Sequence, residues 1–211
     1  MSEVVVKIPA GEISLHGLYE KGRRTEAFLV CHPHPLYGGD MHSNVVVVLQ
    51  RVLSQRGWGT LRFNFRGAGG SEGRYREGVS EAEDVRAAAL FLEKEGHGAV
   101  HAAGYSFGVW AVLKAVGLGL RPASLILVAP PLDFMSFTGL RPPELCPTII
   151  ILGSQDGFCR RESLENWLSE GGTSATGIHV RFLPDCDHFF RGHEERLNEA
   201  LEALVEEALT V

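Results

Sequence analysis

Apolar and polar positions alternate along the chain in two kinds of segment. Short apolar runs rich in β-branched residues predict buried strands, at positions 4–8, 12–19, 28–31, 59–65, 99–103, 124–128, 148–152 and 178–182. Amphipathic segments between them predict helices, at positions 45–55, 80–93, 109–116, 160–170 and 194–209. Ser80 and Glu83 have the spacing of a capping box at the start of the second of these helices.

The order of these elements predicts an α/β fold. The first two strands follow each other without a helix, which predicts an antiparallel hairpin at one edge of the sheet. Strands and helices then alternate, as is typical of a mostly parallel sheet of eight strands with helices on both faces. The connection 130–146 is too short to hold an inserted cap domain, and the run 171–177 reads as a loop. The carboxyl ends of the strands are therefore expected to form an open site.

The length and charge of the chain narrow the classes of function. Residues 1–211, of which 45% are hydrophobic, fit a single domain with a sizeable core. The net charge of −6 gives no electrostatic reason to expect binding to nucleic acid or to an anionic membrane. The first residues lack the basic start and long apolar run that a signal peptide would have, and no apolar run approaches membrane-spanning length. We expect a cytoplasmic protein that is a monomer or a homodimer.

The segment Gly104-Tyr105-Ser106-Phe107-Gly108 lies between a predicted strand and a predicted helix. A serine between two glycines in that context is typical of a nucleophile elbow. The glycines allow the strand end and the helix start to approach each other where a Cβ atom would not fit. The helix N-terminus favours developing negative charge. Ser106 is therefore the candidate nucleophile.

A serine nucleophile needs a base, and the base needs an acid that orients it. Asp156 and His188 each follow a predicted strand downstream of Ser106, in the chain order serine, acid, histidine. We expect Asp156 to fix the tautomer of His188 and His188 to take the serine proton. Asp133, which follows the preceding strand, is an alternative acid that the sequence leaves open.

The segment after the third predicted strand, CHPHPLYGGD at 31–40, is expected to supply half of an oxyanion hole. The prolines on both sides of His34 have no N–H group, so His34 carries the backbone donor between them. We expect the N–H groups of His34 and Phe107 to hold the oxyanion. Leu36 or Tyr37 would replace His34 if the loop turned later.

A metal site is the alternative use of this histidine-rich segment. His32, His34, Asp40 and His42 carry ligand-type side chains, but the prolines stiffen the segment and no later residues have the spacing of a known binuclear site. The four cysteines also lack metal-binding spacing and are expected to be free thiols: Cys31, Cys146, Cys159 and Cys186. We expect neither a metal nor a cofactor.

The glycine-rich segment 62–73 follows a predicted strand, which raises the question of phosphate binding. Its glycines match neither the P-loop nor the dinucleotide-binding fingerprint, and no helix begins directly at them. We interpret the segment as a tight loop that supports the site.

Three motifs together resemble those of the α/β-hydrolase superfamily, over nearly the whole chain. They are HPHP with a glycine pair at 32–39, FRG with Gly-Ser at 65–71, and the elbow at 104–108. The combination is similar to the short, capless bacterial branch that includes dienelactone-hydrolase-like and serine aminopeptidase-like members. The resemblance implies an α/β-hydrolase fold without a cap domain, and Ser106, Asp156 and His188 as a catalytic triad.

Differences between this sequence and other members of the superfamily disfavour some of the activities found among them. Dienelactone hydrolases use cysteine, and dehalogenase and epoxide hydrolase relatives use aspartate, where this chain has Ser106. Those activities are therefore disfavoured. Asn64 stands where many members have aspartate, at a position that supports the site and is outside the triad.

The sequence as a whole predicts a serine hydrolase of the carboxylesterase type that acts on a small-molecule acyl substrate. Without a cap, small or short-chain acyl esters are the expected substrates. A thioesterase or a peptidase would use the same residues, and a non-catalytic binding protein on the same fold is the alternative from another class. Six loop side chains are candidates for the acyl pocket: Leu36, Tyr37, Phe134, Met135, Phe158 and Phe189.

Overall fold

An eight-stranded sheet runs through the computed structural model, which describes residues 2–170 and 177–209. The strands are β1 Val4–Ala10, β2 Ile13–Glu20, β3 Glu26–Cys31, β4 Gly59–Phe63, β5 Ala99–Tyr105, β6 Leu125–Val128, β7 Thr148–Gly153 and β8 Ile178–Leu183. They lie in the order β1-β2-β4-β3-β5-β6-β7-β8. The predicted number of strands is confirmed. The loop predicted at 171–177 falls, except for its last residue, outside the described residues.

The predicted hairpin is confirmed at the edge of the sheet. β1 pairs with β2 in antiparallel register, and β2 pairs with β4 in the same way. From β4 to β8 every strand pair is parallel. Parallel strands need crossover connections, and the helices that form them cover the sheet.

The helices of the described residues are α1 Asn44–Gln55, α2 Glu81–Lys94, α3 Phe107–Gly117, α4 Arg161–Ser169 and α5 Glu194–Leu209. α1 packs on α5 and α2 packs on α3, so the helices form two layers against the central strands. None of these helices is long and apolar enough to cross a membrane.

The capping box predicted at Ser80 and Glu83 is wrong. Ser80 already has helical backbone angles, φ −84° and ψ −19°, and its side chain makes no capping hydrogen bond. A capping side chain needs a non-helical backbone at the N-cap, from which it can turn back to the first free N–H groups. Here the carboxylate of Glu81 instead accepts from the N–H of Arg76, in the loop before the helix.

The central strands are buried on both faces, which is why they read as continuous apolar runs. Every residue of β6 and β7 is buried, as is every residue of β4. β4 ends at Phe63, two residues earlier than predicted, because the N–H of Phe65 donates to the side chain of His32 instead of to a neighbouring strand. The parallel strands bring their carboxyl ends to one edge of the sheet, where the candidate site lies.

Candidate active site

Ser106 lies at a sharp turn between β5 and α3. It is the one residue between them, and its backbone angles are φ 55° and ψ −119°. A positive φ is unfavourable for a residue with a Cβ atom, with a cost of order 1–3 kcal/mol, and such strain clusters at functional sites. The turn packs tightly, since a Cβ atom built on Gly104 would lie 2.6 Å from the backbone of Gly108.

Gly108 makes the second close approach of this turn. A Cβ atom built on Gly108 would lie 2.4 Å from the carbonyl oxygen of Cys31, at the end of β3. The elbow glycines therefore let α3 contact β5 and β3 through backbone atoms. This packing places Ser106 beside the segment that follows β3.

We expect Gly108→Ala to lower the free energy of unfolding by about 3 kcal/mol, because the added methyl group overpacks a contact between rigid backbone atoms. Gly117→Ala is a matched control in the same helix, since a Cβ atom there meets nothing within 4 Å. Alanine is the better helix former, so the control is expected to be neutral or slightly stabilising. Urea unfolding of both variants tests this, and equal stabilities would contradict it.

His188 connects the serine to a carboxylate. Its Nε2 atom lies 2.9 Å from Oγ of Ser106, and its Nδ1 atom lies 2.8 Å from Oδ2 of Asp156. A carboxylate can only accept, so Nδ1–H donates to Asp156 and Nε2 is free to accept from the serine hydroxyl. Asp156 and His188 are 5% and 4% exposed. The structure thus brings together the three residues that the sequence singled out.

The second carboxylate oxygen of Asp156 holds the loop after β7. Oδ1 accepts from the N–H groups of Phe158 at 2.7 Å and Cys159 at 3.1 Å. These two bonds fix the carboxylate plane so that Oδ2 faces His188. Hydrogen bonds from backbone N–H groups also stabilise the ionised form of a buried carboxylate.

Asp133, the alternative acid, lies in a different set of contacts. Its carboxylate accepts from the N–H of Arg160 at 2.8 Å and from the hydroxyl of Ser163 at 2.6 Å. Hydrogen bonds from the Arg160 guanidinium and from Ser163 lower the pKa of Asp133 to about 2. The geometry therefore favours Asp156 as the partner of His188.

The backbone donors expected for an oxyanion hole are His34 and Phe107. The N–H of Leu36 donates to Nδ1 of His34, and the N–H of Tyr37 donates to the His34 carbonyl, so a short 3₁₀ turn uses both alternative donors. Among the described residues, no protein acceptor takes the N–H of His34 or that of Phe107, the first residue of α3. These two N–H groups are therefore available to a ligand.

Buried polar groups behind the loop fix its course. Nε2 of His32 accepts from the N–H of Phe65 at 3.0 Å, so Nδ1 carries the proton and donates to the carbonyl of Pro33 at 2.6 Å. Oδ1 of Asn64 accepts from the N–H of Met41 at 2.9 Å. The glycine-rich segment 62–73 thus supports the loop from behind, in agreement with the structural interpretation of that segment.

Protonation of His32 would break this support, because a protonated ring nitrogen cannot accept from Phe65. Burial lowers the pKa of His32 to about 4, from an ordinary value of 6.5. A histidine with a depressed pKa binds its proton more readily in the unfolded chain. Its contribution to stability is therefore full above pH 6.5 and is lost as the pH falls from 6.5 to 4.

We expect this residue to account for about 3 kcal/mol of the stability lost over that range. Unfolding free energies measured at several pH values from 4.5 to 7 for the wild type and His32→Gln test the expectation. The free energy of unfolding should change less steeply with pH in His32→Gln than in the wild type. At the lower pH values the difference between the two slopes should correspond to close to one proton taken up on unfolding. Equal slopes would show that His32 does not titrate on unfolding.

A cavity of about 790 Å³ opens above Ser106 and His188. It is lined by five of the six predicted pocket residues, Tyr37, Phe134, Met135, Phe158 and Phe189. The expectation for Leu36 is wrong, since this residue is absent from the cavity lining. In a 3₁₀ turn successive side chains lie about 120° apart, so Leu36 points away from the cavity that Tyr37 lines.

Aromatic rings form one side of this cavity. Phe134 and Phe158 meet edge to face with ring centroids 5.3 Å apart, and Tyr37 approaches Phe134 at 6.4 Å. Phe158 also packs on the ring of His188, at 4.5 Å between centroids. This contact packs an apolar ring against the imidazole of His188.

The other side of the cavity is polar, which the sequence reasoning missed. Nδ2 of Asn44, at the start of α1, donates to the carbonyl of Phe189 and to the carboxylate of Glu194, at 3.0 Å each. The bond from Asn44 lowers the pKa of Glu194. Arg191 lines the same side. The available signal was the charged residues that follow His188 closely in sequence, Arg191 in the loop and Glu194 at the first position of the last predicted helix.

The structure gives no support to the metal interpretation of the histidine-rich segment. Across residues 2–170 and 177–209, no group of three or more histidine, cysteine or acidic side chains could hold a metal ion. His32 uses both ring nitrogens in the bonds to Phe65 and Pro33. The cysteines are free and buried, and burial raises the pKa of the Cys159 thiol to about 12.

Comparison with known proteins identifies relatives over nearly the full chain. An α/β serine hydrolase homologue from Coxiella burnetii is 32% identical, with a TM-score of 0.86, and the match covers 96% of this chain and 97% of that one. An α/β serine hydrolase without a lid from Xanthomonas campestris is 29% identical, with a TM-score of 0.86, and the match covers 100% of this chain and 97% of that one.

An uncharacterised protein of Rickettsia prowazekii is 30% identical over an alignment 210 positions long, and the match covers 95% of this chain and 87% of that protein. No family model matches the chain. The identities, the coverage and the TM-scores agree with the resemblance seen in the sequence motifs. This chain is a hydrolase that belongs to the α/β-hydrolase superfamily, in its branch of serine hydrolases without a lid.

Proposed function

We propose that this protein is a carboxylesterase that uses Ser106, His188 and Asp156 as a catalytic triad. The continuous hydrogen-bond path from Oγ of Ser106 through both nitrogens of His188 to Asp156 carries the proposal. A serine hydroxyl is a poor nucleophile at neutral pH, and this arrangement supplies the base and the orienting carboxylate that it needs.

The first half of the proposed reaction acylates the serine. Oγ of Ser106 attacks the ester carbonyl carbon while Nε2 of His188 takes its proton. The N–H groups of His34 and Phe107 hold the negative charge that develops on the carbonyl oxygen, in the manner of an oxyanion hole. When the tetrahedral intermediate collapses, His188 returns the proton to the leaving alcohol, and Asp156 stabilises the imidazolium between these steps.

The second half releases the acyl group. Nε2 of His188 takes a proton from a water molecule, whose oxygen attacks the acyl carbon bonded to Ser106. The same two N–H groups hold the second oxyanion, and His188 then protonates Oγ of Ser106 as the acid leaves. No step requires a cofactor. Every group named follows a strand of the same sheet, and we propose that residues 1–211 act as a single domain.

The proposed substrates are small or short-chain acyl esters. The described residues leave the cavity uncapped, and the residues 130–146 between β6 and β7 add no domain above it. Apolar contact with the aromatic side near Phe134 and Phe158 would bind the acyl group. A substrate bound this way leaves its far end in solvent, so added length gains little binding energy.

A panel of substrates tests this function directly. p-Nitrophenyl acetate, butyrate, octanoate and laurate measure the acyl preference, and a matched butyryl thioester and butyryl anilide measure the leaving group. We expect the largest kcat/KM for the short esters. A folded enzyme that hydrolyses only the thioester or only the amide would reassign it to the other two hydrolase classes, and one inert on every substrate would contradict the proposal.

A further inference from the structure

Tyr105 connects the elbow to the loop that carries His188. It is the last residue of β5, it is 3% exposed, and its hydroxyl donates to the backbone carbonyl of His188 at 3.0 Å. The two rings lie side by side, with centroids 5.9 Å apart and planes inclined by 33°. Tyr105 and His188 are 83 residues apart in sequence.

The other hydrogen bonds to the main chain of the His188 loop join it to itself or to elements other than the elbow, and this distinguishes them from the Tyr105 bond. Oδ1 of Asp187 accepts from the N–H groups of Phe189 and Phe190, which fixes the turn within itself. The N–H of Gln155 donates to the carbonyl of Cys186, which joins the loop to the end of β7. Nδ2 of Asn44 donates to the carbonyl of Phe189, which joins the loop to α1. None of these bonds joins the loop to the elbow, where the serine lies.

Tyr105 directly precedes the proposed nucleophile, Ser106, in the chain. A tyrosine hydroxyl and a serine hydroxyl on adjacent residues both reach His188, one at its backbone oxygen and the other at Nε2. Tyr105 and Ser106 are joined by one peptide bond, and each holds one end of His188 through a hydrogen bond. The position of the Tyr105 hydroxyl therefore influences the distance from Oγ of Ser106 to Nε2 of His188. Burial and the nearby carboxylates raise the pKa of Tyr105, so its hydroxyl stays protonated and donating at neutral pH.

We propose that Tyr105 is a positioning residue that holds the main chain of His188 at the distance from Ser106 needed for proton transfer. This inference rests on the proposed function of the same site. Catalytic groups must stay close to their productive geometry, and a displacement of about 1 Å can cost about 100-fold in rate. Loss of one anchor among several would shift the loop by less than that.

Tyr105→Phe removes only the hydroxyl and keeps the ring. Tyr19→Phe is the matched control, because Tyr19 is 6% exposed and its hydroxyl also bonds to a histidine, 2.8 Å from Nε2 of His97. Tyr19 and His97 lie outside the cavity that contains Ser106. A purely structural role for a buried hydroxyl predicts the same behaviour in both variants.

The measurements are kcat and KM on p-nitrophenyl butyrate, and the low-field proton resonance of Nδ1–H of His188 in each folded variant. We expect Tyr105→Phe to lower kcat about 10-fold with little change in KM. Its Nδ1–H resonance should shift or broaden. Tyr19→Phe should match the wild type in kcat and in the resonance, whatever its effect on stability.

Wild-type kcat in Tyr105→Phe, with an unchanged resonance, would overturn the inference while leaving the proposed function intact. A rise in KM at unchanged kcat would also overturn it, since it would place Tyr105 in substrate binding. If the wild type hydrolyses no ester, the proposed function fails and the resonance alone decides. A shifted signal in Tyr105→Phe but not in Tyr19→Phe would still support positioning, and an unshifted signal would refute it.

Discussion

Ser106→Ala is expected to lower kcat for p-nitrophenyl butyrate by about 10⁴-fold or more, to the limit of detection. Alanine keeps the Cβ atom and the turn but removes the only atom proposed to bond to the acyl group. What remains is the contribution of the oxyanion donors and of binding, which cannot form an acyl-enzyme. Initial rates for purified wild type and variant, with circular dichroism spectra of both, measure the effect.

Ser169→Ala serves as the control for this substitution. Ser169 lies at the end of α4, outside the cavity, and within the described part of the chain its hydroxyl bonds to the backbone oxygen of Asn166, three residues earlier. Its activity should equal that of the wild type. If Ser106→Ala retained more than a tenth of the wild-type kcat while folded, the serine could not be the nucleophile.

Asp156→Asn is expected to lower kcat by about 10⁴-fold with the fold retained. An amide that accepts from the backbone N–H groups of the loop presents its NH₂ group to His188. That donor favours the tautomer with the proton on Nε2, which cannot accept from Ser106. Rates across pH 5–9 for this variant and for Asp133→Asn measure the difference between the two acids.

Asp133→Asn should stay within about threefold of the wild type, because Asp133 bonds to Arg160 and Ser163 and does not contact His188. Its loss weakens an exposed ion pair, which contributes little to stability. A larger loss of activity in Asp133→Asn than in Asp156→Asn would reverse the assignment of the acid.

The sequence was sufficient to find Ser106, Asp156 and His188 as candidates. Each follows an apolar run that is long enough for a buried strand, and parallel strands place their carboxyl ends at one edge of the sheet. The elbow glycines added a steric requirement that the structure shows at Gly104 and Gly108. The strand-end positions and the elbow glycines are visible in short stretches of sequence. The topology of the parallel sheet then brings those stretches together.

The sequence could not decide contacts that depend on the direction of a side chain. Asp133 and Asp156 both follow a strand, and only their partners, Arg160 for one and His188 for the other, tell them apart. Leu36 and Tyr37 are neighbours, yet in a single 3₁₀ turn their side chains point in different directions, and Tyr37 lines the cavity while Leu36 does not.

Contacts between distant segments were equally hidden. The bond from Tyr105 to His188 joins residues 83 positions apart, and the bonds of Asn44 to Phe189 and Glu194 join residues 145 and 150 positions apart. No periodicity or spacing signals such pairs, because each side chain alone fits an ordinary buried or surface position. They become visible only when the strands are in register.

Mass spectrometry of the protein after reaction with a fluorophosphonate probe tests the central claim most directly. The wild type should gain one phosphonyl group, and digestion should locate it on the peptide that contains Ser106. Ser106→Ala and Asp156→Asn should gain none, or gain it far more slowly. A folded wild-type protein that stays unmodified, or that carries the group on another residue, would contradict the assignment of Ser106 as the nucleophile.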